Sequence, residues 1–263
     1  PDGLPIVQIG LNDGEMGKNY PTELAISSDV RETLRALSPV LREKGGAALA
    51  AKAEKRIKVF SKANWSAKRL KLIEKLSSEK SVMPINPDWL MLQVTETLPE
   101  NAIIVNEGLT GARFLNELWP YRDRHDYHGL ASGGIGWGIA ASVGAQLAHP
   151  NRPVCAIIGD GSSMYSIQAL WSAANHKLPM TYIILNNGGY RIIKQRLLAF
   201  HKNDHFIGMD FKDPAVNFAN LALSMGVEAE RVENPASLRG ALEKAFDNRK
   251  GPNLVEVICD GSV

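Results

Sequence analysis

The sequence predicts an α/β fold in which a doubly wound parallel sheet carries helices on both faces. Three observations lead there. Beyond residue 85, strand and helix signals alternate along the chain. The strand signals are short unbroken apolar runs rather than period-two alternations, as expected of a parallel sheet buried on both sides. Several of these runs end in polar or glycine-rich turns, and ligands of such sheets bind beyond the carboxyl ends of the strands. Composition agrees: 263 residues with 44% hydrophobic, 22% charged and a net charge of +2 describe an ordinary globular chain. Disorder, collagen and coiled coil are excluded as whole-chain descriptions.

The elements follow in order. Residues 1–41 hold a strand signal (Leu4 to Ile9), a turn-rich Leu11–Gly14, an extended Asn19-Tyr20-Pro21 and a helix signal from Asp29 to Leu41. That is one βα unit, too small to fold alone. Residues 42–84 read as a basic helical linker. Within residues 42–75, 11 Lys/Arg stand against three Asp/Glu, a local charge of +8 that leaves −6 for the remainder. Such a segment raises nucleic acid as a partner. The preferred reading is instead a solvated helix: Ala47 to Ala53 are strong helix formers, and Ile57, Val59, Phe60, Trp65, Leu70 and Leu72 suggest helices lying on a larger body with lysines turned outward. Met83-Pro84-Ile85-Asn86-Pro87 breaks the pattern, so the main domain is placed at 85–263. In it, helices are expected at Asp88–Leu98, Gly138–Ala148, Tyr165–His176 and Ser237–Asp247, and strands at Ala102–Asn106, Pro153–Ile158, Thr181–Asn186 and Asn253–Cys259. No run approaches the roughly 20 apolar residues of a membrane span, and the N-terminus has no signal-peptide pattern. Cys155 and Cys259 lie in apolar stretches far from other zinc-type ligands, which favours a reducing, cytoplasmic setting. The chain starts without Met and within a strand signal, as a piece of a longer polypeptide would.

Two strand ends carry matched turns, Gly159-Asp160-Gly161 and Asn186-Asn187-Gly188-Gly189, joined by one helix and one strand. In a right-handed βαβ unit both turns emerge on the same sheet edge, so Asp160 and Asn187 converge although 27 positions separate them. One carboxylate, one amide oxygen and a carbonyl from the Gly188–Gly189 turn suit magnesium, leaving places for a diphosphate and water. The neutral amide avoids adding charge to a site already receiving a polyanion. Gly159 and Gly161 let a bulky anion approach, and Ser162, Ser163 and Tyr165 add hydroxyl donors near an expected helix start at Ser162. Each turn alone is an ordinary βα connection; the pairing carries the signal. A competing pattern, Gly136-Trp137-Gly138-Ile139-Ala140-Ala141 with Asp160 further on, has dinucleotide-binding form. Such a fingerprint follows a strand, and Asp126–Leu130 does not read as one. Glu107 reads equally as a surface or helix-capping carboxylate and as a structural group near the site. His125 with His128 lacks a third metal ligand, and His201 and His205 read as solvated loop residues that could act as acid or base only in a cleft.

GDGSSMYSIQALWSAANHKLPMTYIILNN resembles the thiamin diphosphate motif, and its surroundings resemble benzoylformate decarboxylase and the acetolactate-synthase-like relatives. The resemblance implies that residues 85–263 form the diphosphate-binding domain and that residues 1–41 are the tail of a Rossmann-like central domain. It implies thiamin diphosphate and magnesium as cofactors, with Asp160, Asn187 and the Gly189 carbonyl on the metal and Ser162 and Tyr165 near the diphosphate. The Gly133 carbonyl would accept from the aminopyrimidine, Ile135 would be the apolar wedge, and Leu109 and Thr110 would approach the cofactor. Tyr190, Arg191, Ile192, Lys194 and Arg196 match a substrate-contacting stretch, although it is more basic than an aryl pocket needs. The expected reaction is non-oxidative decarboxylation of a 2-keto acid, with carboligation as the alternative and a non-catalytic anion- or nucleic-acid-binding module as the reading from another class. The family's pyrimidine-binding domain, which supplies the activating Glu, has no counterpart in these 263 residues. By the resemblance that domain is a partner, and the assembly is a homodimer or homotetramer.

Overall fold

The computed structural model describes residues 3–263; Pro1 and Asp2, the first positions of the expected 1–41 segment, lie outside the described residues. The chain forms two compact units, one ending at Ala67 and the other running Lys68–Val263.

In the first unit β1 (Val7–Gly10) pairs in parallel with β2 (Leu24–Ser27). The intervening turn is gathered by the Gln8 side chain, whose oxygen accepts from Gly17 N at 2.5 Å and from Thr22 Oγ1 at 2.6 Å. The Asp29 carboxylate caps α1 (Val30–Phe60) by accepting from Glu32 N at 2.9 Å. This helix continues well past Leu41, because the alanine-rich 47–53 stretch resumes it after a kink at Gly46, where φ is 52° and ψ −154°. No α1 residue is buried, and Ile57, Val59 and Phe60 are exposed. Helix α2 (Trp65–Ser77) spans the division between the units.

The second unit continues with α3 (Pro87–Thr97), β3 (Ile103–Glu107), α4 (Leu115–Leu118), β4 (Tyr127–Gly129), α5 (Gly138–Ala148), β5 (Val154–Gly159), α6 (Asp160–Ser166) and α7 (Ala169–Asn175). Then come β6 (Thr181–Asn186), α8 (Arg191–His201), α9 (Phe218–Ser224), β7 (Glu228–Val232), α10 (Pro235–Asp247) and β8 (Asn253–Ile258). The strands form one parallel sheet in the order β4-β3-β5-β6-β8-β7. Successive side chains feed opposite faces. Ile104, Ile157, Ile183 and Val257 pack with α3, α4 and α10, whereas Ile103, Ile158, Ile184 and Leu254 pack with α5, α7 and α9. Cys155 and Cys259 are buried and free. From β3 the chain goes first to β4 and then crosses to β5 on the other side, so the winding reverses between β3 and β5. A ligand crevice opens at such a switch point.

Three elements depart from expectation. Residues 126–130 do contain a strand, β4, which is three residues long and sits at the sheet edge, where hydrophobic patterning is weakest. Six residues still separate it from Gly136. The expected Tyr165–His176 helix is two helices, α6 and α7, interrupted where Ser166 Oγ donates to Gly136 O at 2.6 Å. The other edge, β7, reads Glu-Ala-Glu-Arg-Val, the charged pattern that protects an unpaired edge and hides a strand from hydrophobicity.

Candidate functional site

A small cavity of about 60 Å³ opens at the carboxyl ends of β3, β5 and β6. Its lining includes Leu109, Thr110, Ile135, Gly159, Asp160, Gly161, Ser162, Asn187, Gly189 and Tyr190, together with Glu107, Gly108 and Arg191–Ile193. Three other expected residues stand apart from it. Ser163 is buried and its hydroxyl donates to Gly159 O at 2.9 Å, a bond within the first turn of α6. Tyr165 is exposed and lies against Gly136, and Gly133 is in the exposed 131–135 loop with open space around it.

Asp160 joins the two turns. Only 2% exposed, it accepts from Gly161 N at 2.8 Å through Oδ1 and from Asn187 N and Gly189 N at 3.1 and 3.0 Å through Oδ2. Burial pushes this carboxyl up to about 6, against the surrounding backbone N–H groups that pull it down. The two asparagines of the β6 turn have different tasks. Asn186 Oδ1 accepts from Gly188 N at 3.1 Å and its Nδ2 donates to Glu256 at 2.7 Å, which shapes the turn. Asn187 Oδ1 is buried and has no hydrogen-bond partner. Three of the roughly four lone-pair sites of Asp160 are used. An unspent carboxylate position beside an orphaned amide oxygen and a backbone carbonyl is an all-oxygen donor set, the chemistry that suits a hard divalent cation.

The turn is held from two sides that the sequence does not announce. A Cβ on Gly189 would fall 2.2 Å from Met209 O, and Phe211 N donates to Gly188 O at 2.9 Å, so the 209–211 segment lies directly on the turn. A Cβ on Gly261 would fall 2.3 Å from Asn187 O. Lys194, 8% exposed, anchors the segment through its 2.6 Å ion pair with Asp210. The Tyr190 ring meets Phe211 edge-on at 4.8 Å and comes within 2.6 Å of where a Gly161 Cβ would sit. Its phenol is pushed up, first by burial and then by Tyr165 and the charge of Asp160. Across the cavity Leu109 has φ +43°, a strained conformation for a branched side chain and one concentrated at functional sites.

The basic stretch on α8 does not face the cavity as a cluster. Lys194 is paired, Arg196 stacks on Phe200 at 5.7 Å and Arg191 Nε donates to Ser262 O at 2.7 Å, whereas Ile192 and Ile193 line the cavity instead of entering the core. Glu107 is a helix cap and not a surface group. Its two oxygens accept from Gly136 N and Gly138 N at 2.5 and 2.6 Å, which takes up the N–H groups a dinucleotide phosphate would require. The His125 ring meets that of His149 at a 52° tilt with centroids 4.9 Å apart, and burial pushes His128 down. Among the described residues no His, Cys, Asp and Glu group of three or more could hold a metal, and His201 and His205 are exposed outside the cavity.

Residues 108–257 match the family model "Thiamine pyrophosphate enzyme, C-terminal TPP binding domain". Benzoylformate decarboxylase of Pseudomonas aeruginosa is 37% identical over 174 residues, covering 66% of this chain and 32% of that protein. Chloroplastic acetolactate synthase 2 of Nicotiana tabacum is 28% identical over 272 residues, covering 96% of this chain and 38% of that one. The solved structure of the thiamine diphosphate-dependent 4-hydroxybenzoylformate decarboxylase of Rhodococcus jostii RHA1 superposes with a TM-score of 0.64 at 35% identity, covering 68% of this chain and 33% of its own. The chain thus spans about a third of the length of these relatives.

Proposed function

Since the chain belongs to the thiamine pyrophosphate enzyme family, in the C-terminal TPP-binding domain class, we propose that it is the diphosphate- and magnesium-binding part of an enzyme that decarboxylates a 2-keto acid without oxidation. The observation that carries the reading is the buried, unpartnered Asn187 Oδ1 beside Asp160 at the sheet's switch point. Asp160, Asn187 and the Gly189 carbonyl would hold the magnesium, which would supply positive charge for the diphosphate. Gly159 and Gly161 admit the diphosphate closely, and the Ser162 hydroxyl donates to it. Leu109 and Ile135 form the apolar walls for the organic part, with Thr110 and Tyr190 at the rim, while Gly133 and Tyr165 serve from the adjoining loop and helix.

When bound, thiamin diphosphate supplies the electron sink that lets a 2-keto acid lose carbon dioxide. The protein's part is to exclude water, orient the ligand and hold its charge. Ile192 and Ile193 give the substrate side an apolar surface beside Arg191, whose Nε is committed to Ser262 O, which favours an aryl or alkyl keto acid over a polyanionic one. The partner that completes the site is a pyrimidine-binding domain carrying the activating carboxylate, in a homodimer or homotetramer. A second reading, acetolactate-synthase-like carboligation, is favoured by the match to the tobacco enzyme along 96% of this chain, against 66% for the benzoylformate decarboxylase.

Product analysis separates them. The full-length protein, incubated with thiamin diphosphate and magnesium, is offered benzoylformate and pyruvate singly and together. Release of the aldehyde one carbon shorter supports decarboxylation, and a 2-hydroxy-2-alkyl keto acid from two pyruvates supports the second reading. No carbon dioxide from any of a panel of aryl and alkyl keto acids contradicts both.

A further inference from the structure

One buried carboxylate has no part in holding the cofactor as assigned above. Glu107, the last residue of β3, is 1% exposed, and both its oxygens serve a single target, Gly136 N at 2.5 Å and Gly138 N at 2.6 Å. A carboxylate buried to this extent is costly unless each oxygen is bonded, so the grip is strong. The same short segment is fixed from other directions. Gly136 O accepts from Ser166 Oγ at 2.6 Å, and with φ +90° its absent Cβ would stand 2.2 Å from Tyr165 Cβ. A Cβ on Gly138 would fall 2.8 Å from Glu107 Oε2 and 2.5 Å from Ile158 Cδ1, so glycine is what lets the carboxylate in. Residues 131–135 just before the clamp are exposed, and Ile135, 40% exposed, is the first side chain outside it.

We propose that Glu107 is a positioning residue: its two-pronged hold on Gly136 and Gly138 sets where Ile135 stands across the cavity from Leu109. Both apolar walls then hang from the end of one strand, Leu109 through the chain two residues on and Ile135 through the carboxylate. The inference rests on the reading of Ile135 as a cofactor wall. It separates two properties of the site, because loosening the wall changes the grip on the organic part of the cofactor while Asp160 and Asn187 keep their magnesium geometry.

The test compares Glu107→Gln and Glu107→Ala with Asp126→Asn in the full-length protein. Asp126 is likewise a buried carboxylate bonded to backbone N–H groups, those of Arg122 and Asp123, but lies outside the cavity. Amide exchange over residues 131–138 is read alongside thiamin diphosphate affinity at saturating magnesium. Gln keeps one acceptor and turns an amide N–H against the other donor, so exchange at 136 and 138 should quicken and affinity should fall about tenfold, further in the Ala variant. The magnesium concentration for half-maximal binding should not move. Asp126→Asn should lower the melting temperature with affinity unchanged. Wild-type affinity in both Glu107 variants, or an equal loss in Asp126→Asn at matched stability, overturns the proposal. If the wild type binds no thiamin diphosphate the functional reading itself fails, and unchanged exchange in Glu107→Gln then overturns the clamp independently.

Discussion

Asn187 keeps a buried amide oxygen without a hydrogen bond, an arrangement that costs a fold stability and that folds rarely retain without use. Its neighbour Asn186 spends both ends of its amide on Gly188 and Glu256. The two residues are identical in the sequence and opposite in role. Their spacing from Asp160 was enough to select the pair of turns, whereas the division of labour within the pair depends on Glu256, 70 positions away on β8. Asn187→Ala therefore separates stability from binding. Metal-free Asn187→Ala should be no less stable than wild type, since no bond is lost and an unpaired buried oxygen is removed. Its magnesium-dependent thiamin diphosphate affinity should fall by about tenfold or more. Denaturant titration and calorimetry on one preparation check both, and a variant that is destabilised yet binds normally would reverse the assignment.

At the scale of elements, the poorly legible pieces are those held by polar contacts. Strand β4 has three residues and no apolar run, and its place beside β3 depends on distant groups. Arg152 donates to Asn101 O at 2.7 Å and Ala102 O at 3.3 Å and pairs with the buried Asp126 at 2.8 Å. Asp126 in turn gathers Arg122 N and Asp123 N, and Tyr127 Oη receives Asn106 Nδ2 at 3.1 Å. Nothing within Asp126–Leu130 signals these partners. Removing Arg152 leaves the buried Asp126 without its ion pair, held only by the Arg122 and Asp123 N–H groups, so Arg152→Ala should cost about 3 kcal/mol in urea unfolding, more than a surface ion pair could. A loss under about 1 kcal/mol would show that the clamp is not what seats the edge. The 209–211 segment over Gly189 was hidden for the same reason, since a close backbone approach leaves in the sequence only a glycine that any turn could use.

Across the whole molecule, the central strands β3, β5, β6 and β8 were legible almost to the residue because each is an apolar run buried on both faces. Their order was not. It brings β3 against both β4 and β5 and creates the switch point where Gly159–Gly161 and Asn187–Gly189 meet Leu109 and Ile135. Of the expected site, the Asp160, Asn187 and Gly189 set lines the cavity, whereas Gly133, Ser163 and Tyr165 do not. In the expected substrate-contacting stretch, Lys194 is paired with Asp210 and Arg196 lies over the Phe200 ring. The most direct test of the account is calorimetric titration of thiamin diphosphate into the full-length protein, with magnesium, after chelation, and in Asp160→Ala. The account predicts binding heat with magnesium that disappears on chelation and in the variant. Binding that survives both would contradict it.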